Sequence, residues 1–86
     1  MKSSSVTVGT TATLIVAADD KHRTVYLHVA GNSTVYLGNA SATTANGLST
    51  EKNTTPLEIF LPLRETLYGI VASDTEVVRV LTPDAD

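Results

Sequence analysis

Apolar and polar positions alternate with a period of two in several short runs of this chain, most clearly over residues 24–38, TVYLHVAGNSTVYLG. Two runs there open with the same four residues: Thr24, Val25, Tyr26, Leu27, then Thr34, Val35, Tyr36, Leu37. Valine, threonine and tyrosine suit a pleated, half-buried surface, and the intervening Ala30, Gly31, Asn32 and Ser33 contain a Gly-Asn turn signal, so the stretch predicts a β-hairpin. A loop of odd length centred on Asn32 pairs Val29 with Val35 and Leu27 with Leu37. That register gives one aliphatic face (Val25, Leu27, Val29, Val35, Leu37) and places Tyr26, His28 and Tyr36 on the other. A slip of one residue would exchange the faces.

Other runs read the same way. Residues 1–5 predict a disordered or extended lead, and Val6, Thr7 and Val8 a short first strand. A second strand covers 13–16, and a charged turn over 17–23 carries Asp19, Asp20, Lys21, His22 and Arg23. Over 57–61, Leu57, Ile59 and Leu61 point in while Glu58 and Phe60 point out. A turn at Pro62, Leu63, Arg64 and Glu65 leads to a strand over 66–71. A second turn at Ser73, Asp74 and Thr75 leads to a last strand over 76–81, with Val78 and Val80 opposed to Val77 and Leu81. Pro83 stops it, and 82–86 form an acidic tail.

Residues 39–56 do not fit this pattern. Eighteen residues, mostly polar and rich in Ala, Thr, Ser and Asn, exceed what a strand connection needs. They predict an arm with a short extended piece over 42–45 and a reversal at Asn46 and Gly47, whose positive φ angles such a turn requires, or else a surface loop. The arm reading has it ordering on a neighbouring subunit, or on a larger protein surface to which the chain attaches, by strand addition. About seven short strands with polar turns and no sustained helical period predict an all-β fold: a small, mostly antiparallel β-sandwich forming a single domain over 1–86. A single-layer barrel is the runner-up.

Composition sharpens this. With 14 Thr and 10 Val among 86 residues, strands are favoured. A chain this short buries only about 60–65% of its unfolded surface, and it has no cysteine to cross-link it, so association is a natural source of stability. The net charge of −3 and six scattered basic residues lack a nucleic-acid footprint. No apolar run reaches membrane-spanning length, and the start lacks the apolar segment of a signal peptide, which implies synthesis in a cytosol. The N-x-S/T sequons at Asn32, Asn39 and Asn53 then read as chance in a Thr-rich chain.

Candidate chemistry is sparse. His22 and His28 sit in a charged turn and on the aromatic face, so they are expected to diverge rather than to share a metal with further ligands. Asp19 and Asp20 lack the alternating spacing of a calcium loop. No nucleophile elbow and no phosphate loop is present. The chain therefore reads as a non-enzyme without a cofactor. The more informative set is apolar. Tyr26, Tyr36, Phe60, Val77 and Leu81 all lie opposite the aliphatic positions of their strands, which predicts an outer face covered by a partner or by another copy. With His28 and the turn residues Asn46 and Gly47 they make the candidate interface. The alternative is a barrel-like monomer that buries both faces.

From Leu14 onward, about three-quarters of the chain resembles a family of small virion proteins of tailed bacteriophages, those that decorate capsids or resemble head fibres. The resemblance is carried by Arg23-Thr24-Val25-Tyr26-Leu27-His28-Val29, Val35-Tyr36-Leu37-Gly38, Asn46-Gly47 after a Thr-rich step, Leu67-Tyr68-Gly69-Ile70 and Val77-Val78-Arg79-Val80-Leu81. A glycine-rich turn often precedes the "LY" strand in that family, where this chain has Pro62, Leu63, Arg64 and Glu65. The resemblance implies a β-sandwich in the virion, made in the host cytoplasm, that decorates or reinforces the capsid, often as a homotrimer, or belongs to a neck or tail. The implied partners are further copies and the major capsid protein or other virion proteins. A host- or carbohydrate-binding module is the alternative from another class.

Overall fold

The computed structural model describes residues 1–53 and 55–83. Thr54, the middle position of the Asn53 sequon, and residues 84–86 of the acidic tail lie outside the described residues. Eight strands follow in order: β1 Lys2–Val8, β2 Thr13–Val16, β3 Arg23–Val29, β4 Val35–Gly38, β5 Leu48–Thr50, β6 Leu57–Leu61, β7 Leu67–Ile70 and β8 Glu76–Thr82. They form two four-stranded sheets, sheet A in the order β1-β8-β3-β6 and sheet B in the order β2-β7-β4-β5. Every pairing is antiparallel. This is the small β-sandwich that the alternation predicts, with one strand more than expected.

The core is the aliphatic set. Val8, Val25, Leu27, Val29, Val35, Val71 and Val78 are almost wholly buried, and Ile15, Val16, Leu37, Leu61, Leu67 and Val80 complete the cluster. Ile15 and Val16 both turn inward although adjacent, because a register shift between Leu14 and Val16 bulges β2. Gly69 of β7 leaves room for side chains of the two strands beside it in sheet B: a Cβ there would come within 2.7 Å of Ile15 Cδ1 on β2 and 3.3 Å of Val35 Cγ1 on β4.

The expected hairpin is not formed. The faces are as predicted, but β3 pairs with β8 and β6 while β4 pairs with β7 and β5, in the opposite sheet. Leu27 faces Val80 and Leu57 rather than Leu37, and Val29 faces Val78 rather than Val35. The chain from Ala30 to Thr34 crosses between sheets as an arch. Two facing sheets satisfy the same inward alternation as a hairpin does, and the longer partner β8 wins β3.

Three further expectations change. The lead is strand, since Lys2–Val8 all pair with β8, and that partner overrides the poor strand propensity of Lys and Ser. The segment after β4 is not an extended arm. Asn39 Oδ1 and its carbonyl accept the amides of Ser41 and Ala42, and Asn46 Oδ1 accepts the amide of Thr43. Gly47 N–H donates to Thr43 O at 2.9 Å, no glycine among the described residues has positive φ, and β5 then returns onto β4. Short polar side chains here bond their own backbone rather than a neighbour's. Third, Arg23 is no turn residue: it opens β3 in phase with Val25, is buried, and donates from Nη2 to Ala17 O at 2.8 Å.

The turn before β7 is closed by Glu65 N–H donating to Pro62 O, and Arg64 adopts φ 67°. A left-handed residue with a Cβ costs about 1 kcal/mol, which glycine avoids. Arg64→Gly is therefore expected to raise stability by about 0.5 kcal/mol, part of the gain being offset by the freer unfolded chain. The exposed contact of Arg64 Nε with Asp20 at 3.7 Å contributes little against this. Chemical denaturation checks it: a midpoint lowered by the substitution would contradict the account.

Candidate interface on the outer face of sheet A

Strand pairing decides which outward residues meet. Leu81 of β8, Tyr26 of β3 and Glu58 of β6 stand in one row across sheet A. Arg79 and His28 form the next row on one side, and Thr24 and Phe60 the row on the other. Val77 lies further along the same face of β8, and Ser3, Ser5 and Thr7 of β1 border it opposite Leu81, Arg79 and Val77. Of the predicted interface residues, five thus share one surface: Tyr26, His28, Phe60, Val77 and Leu81. The other three do not join them. Tyr36 faces outward from sheet B, beside Ile70 and Ser49. Gly47 packs behind it, where a Cβ would come within 2.7 Å of Tyr36 Cβ, and the side chain of Asn46 is occupied in the loop.

The five-residue surface is mixed and prearranged. Phe60 is 60% exposed and Tyr26 40%, large apolar groups left in solvent on adjacent strands. His22 stacks on Phe60, with ring centroids 5.5 Å apart and planes 29° from parallel, while its Nδ1 accepts the amide of Leu63 at 3.0 Å. This fixes the phenyl ring from one side. Tyr26 donates its hydroxyl proton to Glu58 Oε2 at 2.6 Å. That bond, then the negative charge of Glu58, raise the Tyr26 pKa above its ordinary 10.0, so the phenol keeps its proton and the bond through the whole neutral range. His28 Nε2–H donates to Lys52 O at 3.0 Å, tying the β5–β6 connection to the face. Between these groups runs an open trough of about 520 Å³, bordered by Ser3, Ser5, Tyr26, His28, Arg79 and Leu81.

The arrangement offers apolar contact flanked by fixed donors and acceptors, which is how protein interfaces are built. His22 and His28 serve different neighbours, as their positions in the sequence predict. Among the described residues no group of three or more His, Asp or Glu converges for a metal. Asp19 Oδ1 accepts the Asp20 amide and its carbonyl accepts the Arg64 amide at 2.7 Å, so this pair shapes its turn.

Sequence reading missed one polar anchor. Glu76 is buried, and its carboxyl oxygens accept the amides of Ser33 at 2.8 Å and Val77 at 2.9 Å. A Cβ at position 31 would collide with both oxygens, so the arch needs Gly31. The signal was its phase: Glu76 falls on the same side of β8 as Val78 and Val80. No protein-family model, no curated protein and no solved structure matches the chain.

Proposed function

We propose that this protein is a non-enzymatic structural module that docks the outer face of sheet A onto a larger protein surface and works as a small oligomer. The observation that carries the reading is the gathering of Tyr26, Phe60, Val77 and Leu81, with His28, on one sheet face although they come from three strands. A small domain that leaves phenyl and phenol groups this open gains by covering them. The resemblance of residues 14–81 to tailed-phage virion proteins supplies the larger surface: the capsid, with the neck or tail as the alternative site. Many copies on a repeating lattice hold tightly even where each contact is weak. A second reading is supported by the trough itself, since a tyrosine beside Arg79 and Ser3 suits a sugar ring, and on that reading the module binds a host glycan.

Incorporation into particles tests the first reading. Phe60→Lys with Leu81→Lys changes only outward positions, so the variant is expected to fold normally yet to be present on purified phage particles at about one-tenth of the wild-type amount or less. Ser49→Lys, on the outer side of sheet B, is expected to incorporate normally. Normal incorporation of the double variant, or absence of the wild-type chain from particles, would overturn the reading. A wild-type chain that is absent from particles but held on a glycan array would favour the second one.

A further inference from the structure

The four sheet edges are not alike. β6 is bounded by Pro56 and Pro62, β2 is bulged, and β5 is three residues long. Each is a device that keeps an edge from pairing with another chain. β1 has none of them. It is seven residues long, contains no proline, and its register with β8 runs unbroken from Lys2↔Thr82 to Val8↔Glu76.

Which of its groups are open follows from the ladder. Ala30 N–H donates to Val77 O at 2.9 Å, so Val77 turns its backbone groups toward β3. Direction alternates along an antiparallel strand, so Glu76, Val78, Val80 and Thr82 turn theirs toward β1. Their partners Val8, Val6, Ser4 and Lys2 are the bonded ones. Ser3, Ser5 and Thr7 therefore aim N–H and C=O away from the sheet.

We propose that β1 pairs antiparallel with the β1 of a second copy about a two-fold axis at Ser4, joining two A sheets into one of eight strands. Symmetry selects this occupant. A ring of three or more copies joined through strand edges needs two different open edges, whereas a two-fold pair needs only one, used twice. The register about Ser4 sets Ser3 of each copy against Ser5 of the other, so the open groups meet and make four backbone bonds. It also keeps inward residues opposite inward residues, as a continuous sheet requires. Lys2, the only charge on the strand, faces Val6 of the other copy. The two lysine positions stand four residues apart, about 13 Å, beyond the screening length at physiological salt. The serines are small enough to let the backbones approach. The pair is two-fold rather than the trimer that the resemblance implies, and it does not depend on the docking face.

Sedimentation equilibrium over protein concentrations up to about 1 mM tests this, four backbone bonds alone giving association in that range. The wild-type mass is expected to rise toward that of two chains. Ser5→Pro removes an edge donor while sparing every bond to β8, and is expected to stay monomeric with an unchanged circular dichroism spectrum. Hydrogen exchange gives a second reading should that variant not fold: the Ser3 and Ser5 amides of the wild type slow as concentration rises, while Ser4 and Val6 are protected throughout. Phe60→Lys with Leu81→Lys is expected to pair as the wild type does, which separates this proposal from the docking face. A chain that stays monomeric, a limiting mass of three chains, pairing undiminished by Ser5→Pro, or Ser3 and Ser5 exchange independent of concentration would each overturn it.

Discussion

Leu27→Ala is expected to lower the free energy of unfolding by about 2–5 kcal/mol. Leu27 is 1% exposed and sits mid-strand in β3, the strand held between β8 and β6, with Val80 and Leu57 as its neighbours across the ladders. Truncation removes three carbons, one methine and two methyl groups, from a layer walled by two sheets. Strands bonded on both sides cannot close around the void. In a domain of this size the loss is a large share of a total of about 5–15 kcal/mol. Thr34→Ala is the comparison: its hydroxyl donates to Glu51 Oε2 at 3.0 Å in an exposed setting, and its loss is expected to cost less than about 1 kcal/mol. Urea denaturation measures both, and equal effects would contradict the placement of the core.

The second large effect is expected at Glu76. Glu76→Ala strips the acceptors from the Ser33 and Val77 amides, leaves space beneath the arch, and is expected to cost about 2–4 kcal/mol. Glu76→Gln keeps one acceptor oxygen and is expected to cost less. Gly31→Ala is destabilising in the wild type because its methyl group must displace the Glu76 carboxyl group. In the Glu76→Ala background the same change meets open space and is expected to cost little. The two substitutions should therefore be strongly non-additive. Additive effects in a double-mutant cycle would mean that the carboxyl group does not hold the arch.

Glu76 also marks where sequence reading stops. Period-two alternation identified seven strands and, for β3, β4, β6 and β8, both faces, because inward and outward positions are set by the pleat whatever strand lies alongside. It did not identify neighbours. Residues 30–34 look like a hairpin turn, and what makes them an arch is a side chain 43 positions away from Ser33. Leu48–Thr50 was hidden because a three-residue strand shows no period, and its single large apolar group is 61% exposed. Lys2–Ser5 was hidden because its strand character comes from β8 rather than from its own residues. Arg23 and Glu76 were legible in phase but not in kind: each opens a long strand on the inward side, at an end of the sandwich where a charged group can reach backbone partners. The left-handed Arg64 is the related case at a turn: nothing in its own side chain signals the positive φ it adopts.

The candidate interface was legible residue by residue and not as a surface. Tyr26, Phe60, Val77 and Leu81 were each placed outward by parity, but only the order β8-β3-β6 makes them adjacent and separates Tyr36 from them. Their exposure follows from the economy of a short chain, whose two inner faces already take its aliphatic residues. The loop after β4 bonds its own backbone, and the functional reading therefore rests on the face of sheet A.

A cryo-electron microscopy map of the tailed-phage particle to which the proposed function assigns this protein tests the central claim most directly. The account predicts density for a two-sheet sandwich seated with the outer face of sheet A against a virion protein, Phe60 and Leu81 covered, and the outer side of sheet B toward solvent. A particle without this density, or one in which Phe60 and Leu81 face solvent while another surface makes the contact, would contradict it.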